Sequence, residues 1–146
     1  MATRIRPMRP DDADAVADLT TQLGYPVETF VQRARIADVL AAPIDHAVLV
    51  AVDADDRPIG WIHVERLRHL AGDCQANVNG LVVEDRHRSD GIGAELMAAG
   101  EAWARAAGAT EVTVHTRITR ERAHRFYVAH GYSLQKTSHV FRKELG

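Results

Sequence analysis

The fold is decided by one stretch in the middle of the chain, Leu81-Val82-Val83-Glu84-Asp85-Arg86-His87-Arg88-Ser89-Asp90-Gly91-Ile92-Gly93-Ala94. The apolar residues at its start are typical of a strand. A basic turn with two glycines follows, and a helix begins there. Glycine lets the backbone approach a ligand closely, and the N–H groups at the start of a helix point at an anion. Arginines of the turn are suited to phosphate, so this unit predicts a phosphate site, although a turn with surface arginines fits it equally well.

Two common glycine loops do not match this stretch. A dinucleotide-binding fingerprint requires a third small residue three places beyond Gly93, where Leu96 stands. A P-loop requires the triplet Gly-Lys-Ser or Gly-Lys-Thr, which the sequence lacks. The phosphates predicted for this turn therefore belong to another kind of ligand.

Outward from this unit, the hydrophobic periodicity predicts a mixed α/β fold. Strands are expected at residues 3–8, 46–53, 59–67, 76–83, 111–116 and 133–143, and helices at residues 12–24, 27–42, 92–107 and 120–130. Short polar turns indicate antiparallel neighbours, whereas the helix between residues 83 and 111 indicates a right-handed parallel crossover. We expect one domain, residues 1–146, with a mostly antiparallel central sheet, one parallel pair and about four helices.

Composition excludes several classes of protein. The 146 residues carry 18 Lys and Arg against 20 Asp and Glu, so the net charge of −2 gives no general attraction to nucleic acid or to a membrane surface. The longest apolar run, residues 47–52, is too short to span a bilayer, and the N-terminus has no apolar core of a secretory signal. A single cysteine, Cys74, favours a reducing, cytoplasmic location, and the histidine and cysteine spacings give no metal site.

A second segment, residues 120–132, places aromatic residues on one side of a predicted helix, where they also fit an ordinary core. Together the two segments resemble the GCN5-related N-acetyltransferase (GNAT) superfamily. Its pattern Arg-x-x-Gly-x-Gly is met at residues 88, 91 and 93. Its later pattern Ala-x-x-Phe-Tyr-x-x-x-Gly-Phe/Tyr is met at residues 123, 126, 127, 131 and 132. The order of predicted elements is also similar along nearly the whole chain.

The resemblance implies a cleft for acetyl-CoA, used as co-substrate, between a splayed fourth and fifth strand. The pantetheine arm would run beside the strand, and the pyrophosphate would lie on the N–H groups of the glycine turn, with further contacts from the later motif. The cofactor-binding residues implied are Leu81, Val82, Val83, Arg88, Ser89, Asp90, Gly91, Ile92, Gly93, Ala94, Arg120, Ala123, Phe126 and Tyr127. Three of them, Ser89, Asp90 and Arg120, depart from the residues that are common in the family.

For catalysis, the resemblance implies that Tyr127 is the general acid that protonates the departing thiolate. Many relatives carry a glutamate where this chain has Asn77, and an asparagine is not a base, although it can position a water or the amine. We therefore keep Asn77 and His115 as candidates for positioning the amine or accepting its proton, since imidazole titrates near neutral pH. Further candidates for the base are Glu65, His63 and Glu84.

The resemblance predicts an N-acetyltransferase that moves an acetyl group from acetyl-CoA to a primary amine by direct attack in a ternary complex. The acceptor is expected to be a small molecule, and a homodimer is compatible with the family. Two alternatives stay open, a protein amino-group acetyltransferase and an acyl-CoA-binding or regulatory module with little turnover. The missing glutamate at Asn77 supports the last one, whereas Tyr127 opposes it.

Overall fold

The computed structural model describes residues 3–88 and 90–146 of the chain. The strands are β1 Arg4–Pro7, β2 His46–Val52, β3 Pro58–Leu67, β4 Gln75–Val83 and β5 Val112–Val114. The helices are α1 Ala13–Gln22, α2 Thr29–Leu40, α3 Ile92–Ala106 and α4 Glu121–Ala129. Short 3-10 turns precede α1 and follow β4.

The five strands form one sheet in the order β1-β2-β3-β4-β5. Neighbouring strands run antiparallel except for β4 and β5, which are parallel and joined through α3. The parallel pair is short, since it extends only from Ala76 opposite Val112 to Val78 opposite Val114. The prediction of a mixed α/β fold with a mostly antiparallel sheet, one parallel pair and four helices is confirmed.

Strand alternation places different side chains on the two faces of the sheet. On one face, Val48, Val50 and Val52 of β2 form a buried core with residues of α1 and α2. On the other face, Ile62 and Val64 of β3 pack against α3. The approach of α3 is close, because a Cβ built on its Gly100 would lie 2.9 Å from Val64. The helices therefore cover both faces of the sheet.

The register of β3 determines which polar groups share the face that α1 and α2 cover. Trp61 lies opposite Val50 and His63 lies opposite Val48, so both side chains lie on that face, and Glu65 continues the row. The pairing of β3 with β4 shifts between His63 and Val64 of β3. Asn79 of β4 is the additional residue of the resulting β-bulge. The bulge thus places the polar residue Asn79 in the middle of β4.

The chain divides into two compact units, Met1–His115 and Thr116–Gly146. The first contains the whole sheet, and the second contains α4. The predicted strand at residues 133–143 is wrong, because the structure has no strand in that range, and Leu134, Val140 and Phe141 are 85–94% exposed. A strand at residues 133–143 would need a neighbouring strand to pair with, and the described residues of the second unit contain none.

None of the helices in residues 3–88 and 90–146 combines the length and the apolar character that a membrane crossing requires.

Candidate active site

The end of the parallel pair is the first feature of the candidate site. Because β5 ends at Val114, its pairing with β4 stops at Val78, directly before the bulge at Asn79. A β-bulge bends a strand, and bulges are frequent beside active sites. The following β4 residues include the predicted Leu81, Val82 and Val83, of which Val82 is buried. The bulge at Asn79 therefore lies two residues before Leu81, the first residue of β4 that the resemblance assigns to the pantetheine arm.

A hydrogen-bonded network of polar side chains lies across β3, β4 and β5 at this point. Asn79 donates from Nδ2 to Oε1 of Glu65 at 3.0 Å, and Asn77 donates from Nδ2 to Oδ1 of Asn79 at 2.7 Å. The hydroxyl of Thr113 donates to Oδ1 of Asn77 at 2.9 Å, and Nδ1 of His115 lies 3.2 Å from the same oxygen. The structure thus brings the predicted residues Asn77 and His115 together.

The direction of this network determines the tautomer of His115. An ionised carboxylate only accepts hydrogen bonds, so Glu65 orients the amide of Asn79, and that amide orients Asn77 in turn. The oxygen of Asn77 therefore faces His115, whose Nδ1 carries the donated proton. Nε2 of the neutral ring then holds the lone pair, which is the form that a general base requires.

Glu84, another candidate for the base, serves a different role. Its carboxylate accepts hydrogen bonds from Arg57 at 2.8 and 2.9 Å and from Arg86 at 3.2 Å. Burial works to raise the pKa of Glu84, but the hydrogen bonds from Arg57 and Arg86 outweigh burial and hold it below its usual range. A carboxylate stabilised in this way is a poor base, and it instead anchors the turn that leads to α3.

The turn between β4 and α3 contains further ion pairs. Arg88 contacts Asp85 at 2.8 Å, and His87 contacts Asp90 at 3.2 Å. Asp90 is about half exposed, and its carboxylate lies within hydrogen-bond distance of Nδ1 of His87, so a contact inside the turn holds its side chain. Ser89, also predicted to bind the cofactor, lies outside the described residues.

Gly91 adopts a backbone conformation that glycine favours. Its φ of 81° is left-handed, and it caps the N-terminus of α3, whose first residues are Ile92, Gly93 and Ala94. A Cβ at Gly91 would meet nothing within 4 Å among the residues that the structure describes, its chain neighbours apart. The backbone conformation therefore explains this glycine, and the space beside it is available to a ligand.

Tyr127 belongs to the second unit, on α4. Burial raises its pKa above the usual value, against a smaller opposite effect of Arg120, so the phenol keeps its proton at neutral pH. Its ring packs edge-on against Phe126 at 5.2 Å and against Tyr132 at 5.7 Å between ring centroids. The predicted Arg120 caps the same helix, and Ala123 lies one turn before Tyr127. The motif thus holds a protonated phenol between two aromatic rings.

One residue of the network, Asn79, was missed by sequence reasoning. It lies two residues after Asn77 on β4, at the position of the bulge. The residue pattern does not reveal a bulge, so the contact of Asn79 with the neighbouring strand could not be predicted. No group of three or more histidine, cysteine, aspartate or glutamate side chains that could hold a metal ion occurs among the described residues.

We expect Glu84→Gln to loosen the turn before α3. The amide loses the charge that two arginines contact, which should cost about 1–3 kcal/mol of the free energy of unfolding. Thermal unfolding and calorimetric CoA binding measure the effect, with a lower Tm and several-fold weaker binding expected. Glu28→Gln, at an exposed position, serves as control. Unchanged Tm and affinity in Glu84→Gln would contradict the anchoring role.

Comparison with known proteins places this geometry in context. Residues 15–132 match the model of the Acetyltransferase (GNAT) family. An aminoglycoside N(6')-acetyltransferase type 1 of Stenotrophomonas maltophilia is 32% identical over 153 residues, covering 99% of this chain and 95% of that protein.

Solved structures share the fold. The aminoglycoside antibiotic 6'-N-acetyltransferase AAC(6')-Ih of Acinetobacter baumannii superposes with a TM-score of 0.85 at 19% identity, covering 99% of this chain and 100% of that chain. A structure of AAC(6')-Iy in complex with a bisubstrate analog, CoA-S-monomethyl-acetylneamine, has a TM-score of 0.85 at 21% identity, with 99% and 100% coverage. At this identity the likeness establishes the fold.

Proposed function

The chain belongs to the GNAT acetyltransferase family and is an acetyl-CoA-dependent N-acetyltransferase, and from this premise we propose that its acceptor is a primary amine of a small molecule, attacked directly in a ternary complex. The observation that carries the proposal is the polar network at the end of the parallel pair, which presents an imidazole lone pair where β4 leaves β5. We propose that residues 1–146 work as one domain in the cytoplasm.

The residues available for acetyl-CoA fit the chemistry of that molecule. Its pyrophosphate requires several donors, which the first N–H groups of α3 supply, because the first turn of a helix has no internal partners for them. The backbone of Leu81–Val83 would bond the pantetheine amides, and Arg88 and Arg120 would add positive charge. When bound, acetyl-CoA supplies a thioester that is already reactive toward an amine.

We assign the proton transfers to two side chains. Nε2 of His115 accepts the proton that the amine loses as its nitrogen forms a bond to the acetyl carbon. Tyr127 donates its phenolic proton to the sulfur as the carbon–sulfur bond breaks. Asn77 holds His115 in the required tautomer through the hydrogen bond to Nδ1. His115 then releases the accepted proton to solvent and Tyr127 takes one up, so the products are the N-acetylated amine and free CoA thiol and both protons and electrons balance.

An amine panel tests the proposal. Release of free CoA thiol from acetyl-CoA is measured with small primary amines, amino acids, an aminoglycoside and a lysine peptide. Turnover with a small amine supports the proposal. Turnover with the lysine peptide alone would replace the acceptor with a protein amino group, and tight acetyl-CoA binding without turnover on any amine would contradict the proposal.

We expect His115→Gln to lower kcat/KM about 100-fold near neutral pH, as removal of a general base does. An imidazole that carries a proton on both nitrogens has no lone pair to accept another, so the activity of the unmodified protein should fall on the acidic side of its pH profile. In His115→Gln that acidic limb should disappear. The measurement is kcat/KM for one amine as a function of pH, from about pH 5 to about pH 9.

Thr113→Val separates chemistry from structure in this experiment. Thr113 donates to the same oxygen of Asn77 but does not titrate as a histidine does. Its loss should lower the rate only a few-fold, since about one ordinary hydrogen bond is removed, and should keep the acidic limb. An acidic limb that persists in His115→Gln would show that another group is the base.

A further inference from the structure

A pocket of about 390 Å³ lies between α2 and the sheet, within the first unit. That volume is in the range of small-molecule sites. Its lining is mainly apolar, and the apolar side chains that contribute are Met8, Val16, Ile36, Val39, Val48 and Trp61. Nothing in the proposed proton transfers uses these side chains. The pocket therefore has the size and the lining to bury a hydrocarbon group.

Trp61 connects this pocket to the polar network. A Cβ built on Gly80 would lie 2.6–2.7 Å from the indole carbons Cη2 and Cζ3, so the ring of Trp61 lies directly over β4 at Gly80. Gly80 follows the bulge residue Asn79. One edge of the indole thus reaches the strand beside the network, while the same side chain lines the pocket. The indole N–H is buried without a hydrogen-bond partner among the described residues. It is therefore available to donate a hydrogen bond to a polar atom of a ligand.

The charges around the pocket favour a ligand with a single cation. Arg35 and Asp38 both line it and carry opposite formal charges, so their sum is zero. Nδ1 of His46 lies 3.0 Å from Nε2 of His63, a bond that requires at least one neutral ring. Burial, with the nearby His46, lowers the pKa of His63, which keeps this wall neutral near pH 7.

Glu65, which forms no ion pair within the described part of the chain, lies two residues along β3 from His63, or about 6.5 Å between Cα atoms. Its partner in the network, Asn79, is a neutral amide, so the charge is not offset there. One carboxylate in the same row of β3 as the lining residues Trp61 and His63 suits a monoamine with a hydrocarbon tail. A molecule with several ammonium groups would have to bury charges against apolar side chains, which is unfavourable.

We propose that the acceptor is a primary monoamine carrying an alkyl or aryl group, with its amine at the polar network and its hydrocarbon group in the α2 pocket. This inference rests on the proposed acetyl transfer and specifies its substrate class. It distinguishes the chain from the aminoglycoside acetyltransferases that it resembles in sequence, whose named substrates carry several amines.

The experiment compares 2-phenylethylamine with ethanolamine, two primary amines that differ in their apolar part. We expect kcat/KM to be at least about tenfold higher for 2-phenylethylamine, since burial of the ring is favourable. Val39→Phe fills the pocket and should abolish that preference. Ala37→Phe adds the same ring to an exposed position of α2 outside the lining and should keep it. If Val39→Phe does not fold, Gln32→Phe fills the pocket from a half-buried polar position.

The outcomes separate the substrate class from the reaction. Turnover of neamine or ethanolamine with equal or better efficiency, unaffected by the filling variants, would overturn the substrate class and leave acetyl transfer intact. Absence of turnover with every amine would overturn the proposed function. In that case 2-phenylethylamine binding is measured by fluorescence of Trp61 in a Trp103→Phe background. Saturable binding lost only in the filling variants supports the pocket assignment, and absence of binding overturns it.

Discussion

Replacement of Tyr127 by phenylalanine is expected to lower kcat at least about 100-fold, the usual contribution of a general acid, while the affinity for acetyl-CoA stays within about twofold. The departing thiolate then has no phenol to protonate it. Burial keeps the pKa of Tyr127 above its usual value, so the hydroxyl is a proton donor over the whole neutral range. The ring itself, which packs against Phe126 and Tyr132, is retained in the variant.

Tyr132→Phe is the matched control for this experiment. The ring of Tyr132 lies 5.7 Å from that of Tyr127, and the family motif accepts either phenylalanine or tyrosine at its position. Its kcat should therefore change little. Steady-state kinetics with saturating amine, together with calorimetric titration of acetyl-CoA, distinguishes the two variants. Equal losses in both would indicate that the hydroxyls of this aromatic cluster act through structure and not through proton transfer, and no loss in Tyr127→Phe would exclude the phenol as the acid.

The glycine turn and the element order could be predicted from the sequence because their signals are local. Gly91 precedes a helical pattern directly after an apolar strand, and the structure places it at the N-terminus of α3 with a left-handed φ. The parallel pairing of β4 with β5 followed from the crossover rule for a strand–helix–strand unit. Such features depend on neighbouring residues and on chain connectivity, both of which are visible in a sequence.

The polar network could be predicted only in part, because it depends on register. Asn77 and His115 lie 38 positions apart, and only the pairing of β4 with β5 brings them within hydrogen-bond distance. The bulge at Asn79 then extends the network to Glu65 on β3. A slip of one residue would turn each side chain to the other face, and no local pattern specifies that choice.

The segment at residues 133–143 shows the opposite case, where a local signal was misleading. Its alternating residues predicted a strand, but a strand is stable only when its backbone groups find partners on a neighbouring strand. In the described residues of the second unit no such neighbour exists, and Val140 and Phe141 are exposed. Propensity alone was therefore insufficient.

Replacement of Gly91 by valine is expected to weaken CoA binding at least about tenfold, the equivalent of one charge-assisted hydrogen bond. A β-branched residue at a φ of 81° is strained, so the turn would shift and misdirect the first N–H groups of α3. Within residues 3–88 and 90–146, nothing apart from the chain neighbours lies within 4 Å of a Cβ at this position. The added Cβ itself would therefore meet a bound pyrophosphate and not these residues.

Gly108→Val provides the matched control, because Gly108 lies at the other end of the same helix with a φ of 90° and equally open surroundings. Both variants should lose about 1–3 kcal/mol of the free energy of unfolding through backbone strain. Only Gly91→Val should also lose affinity for CoA, measured by calorimetry at a temperature where both variants are folded. The comparison thereby separates the effect of backbone strain at an end of α3 from the effect of a lost contact with the phosphates. If both variants bind CoA like the unmodified protein, the pyrophosphate lies elsewhere; if both lose affinity equally, the stability of α3 and not the turn at Gly91 governs binding.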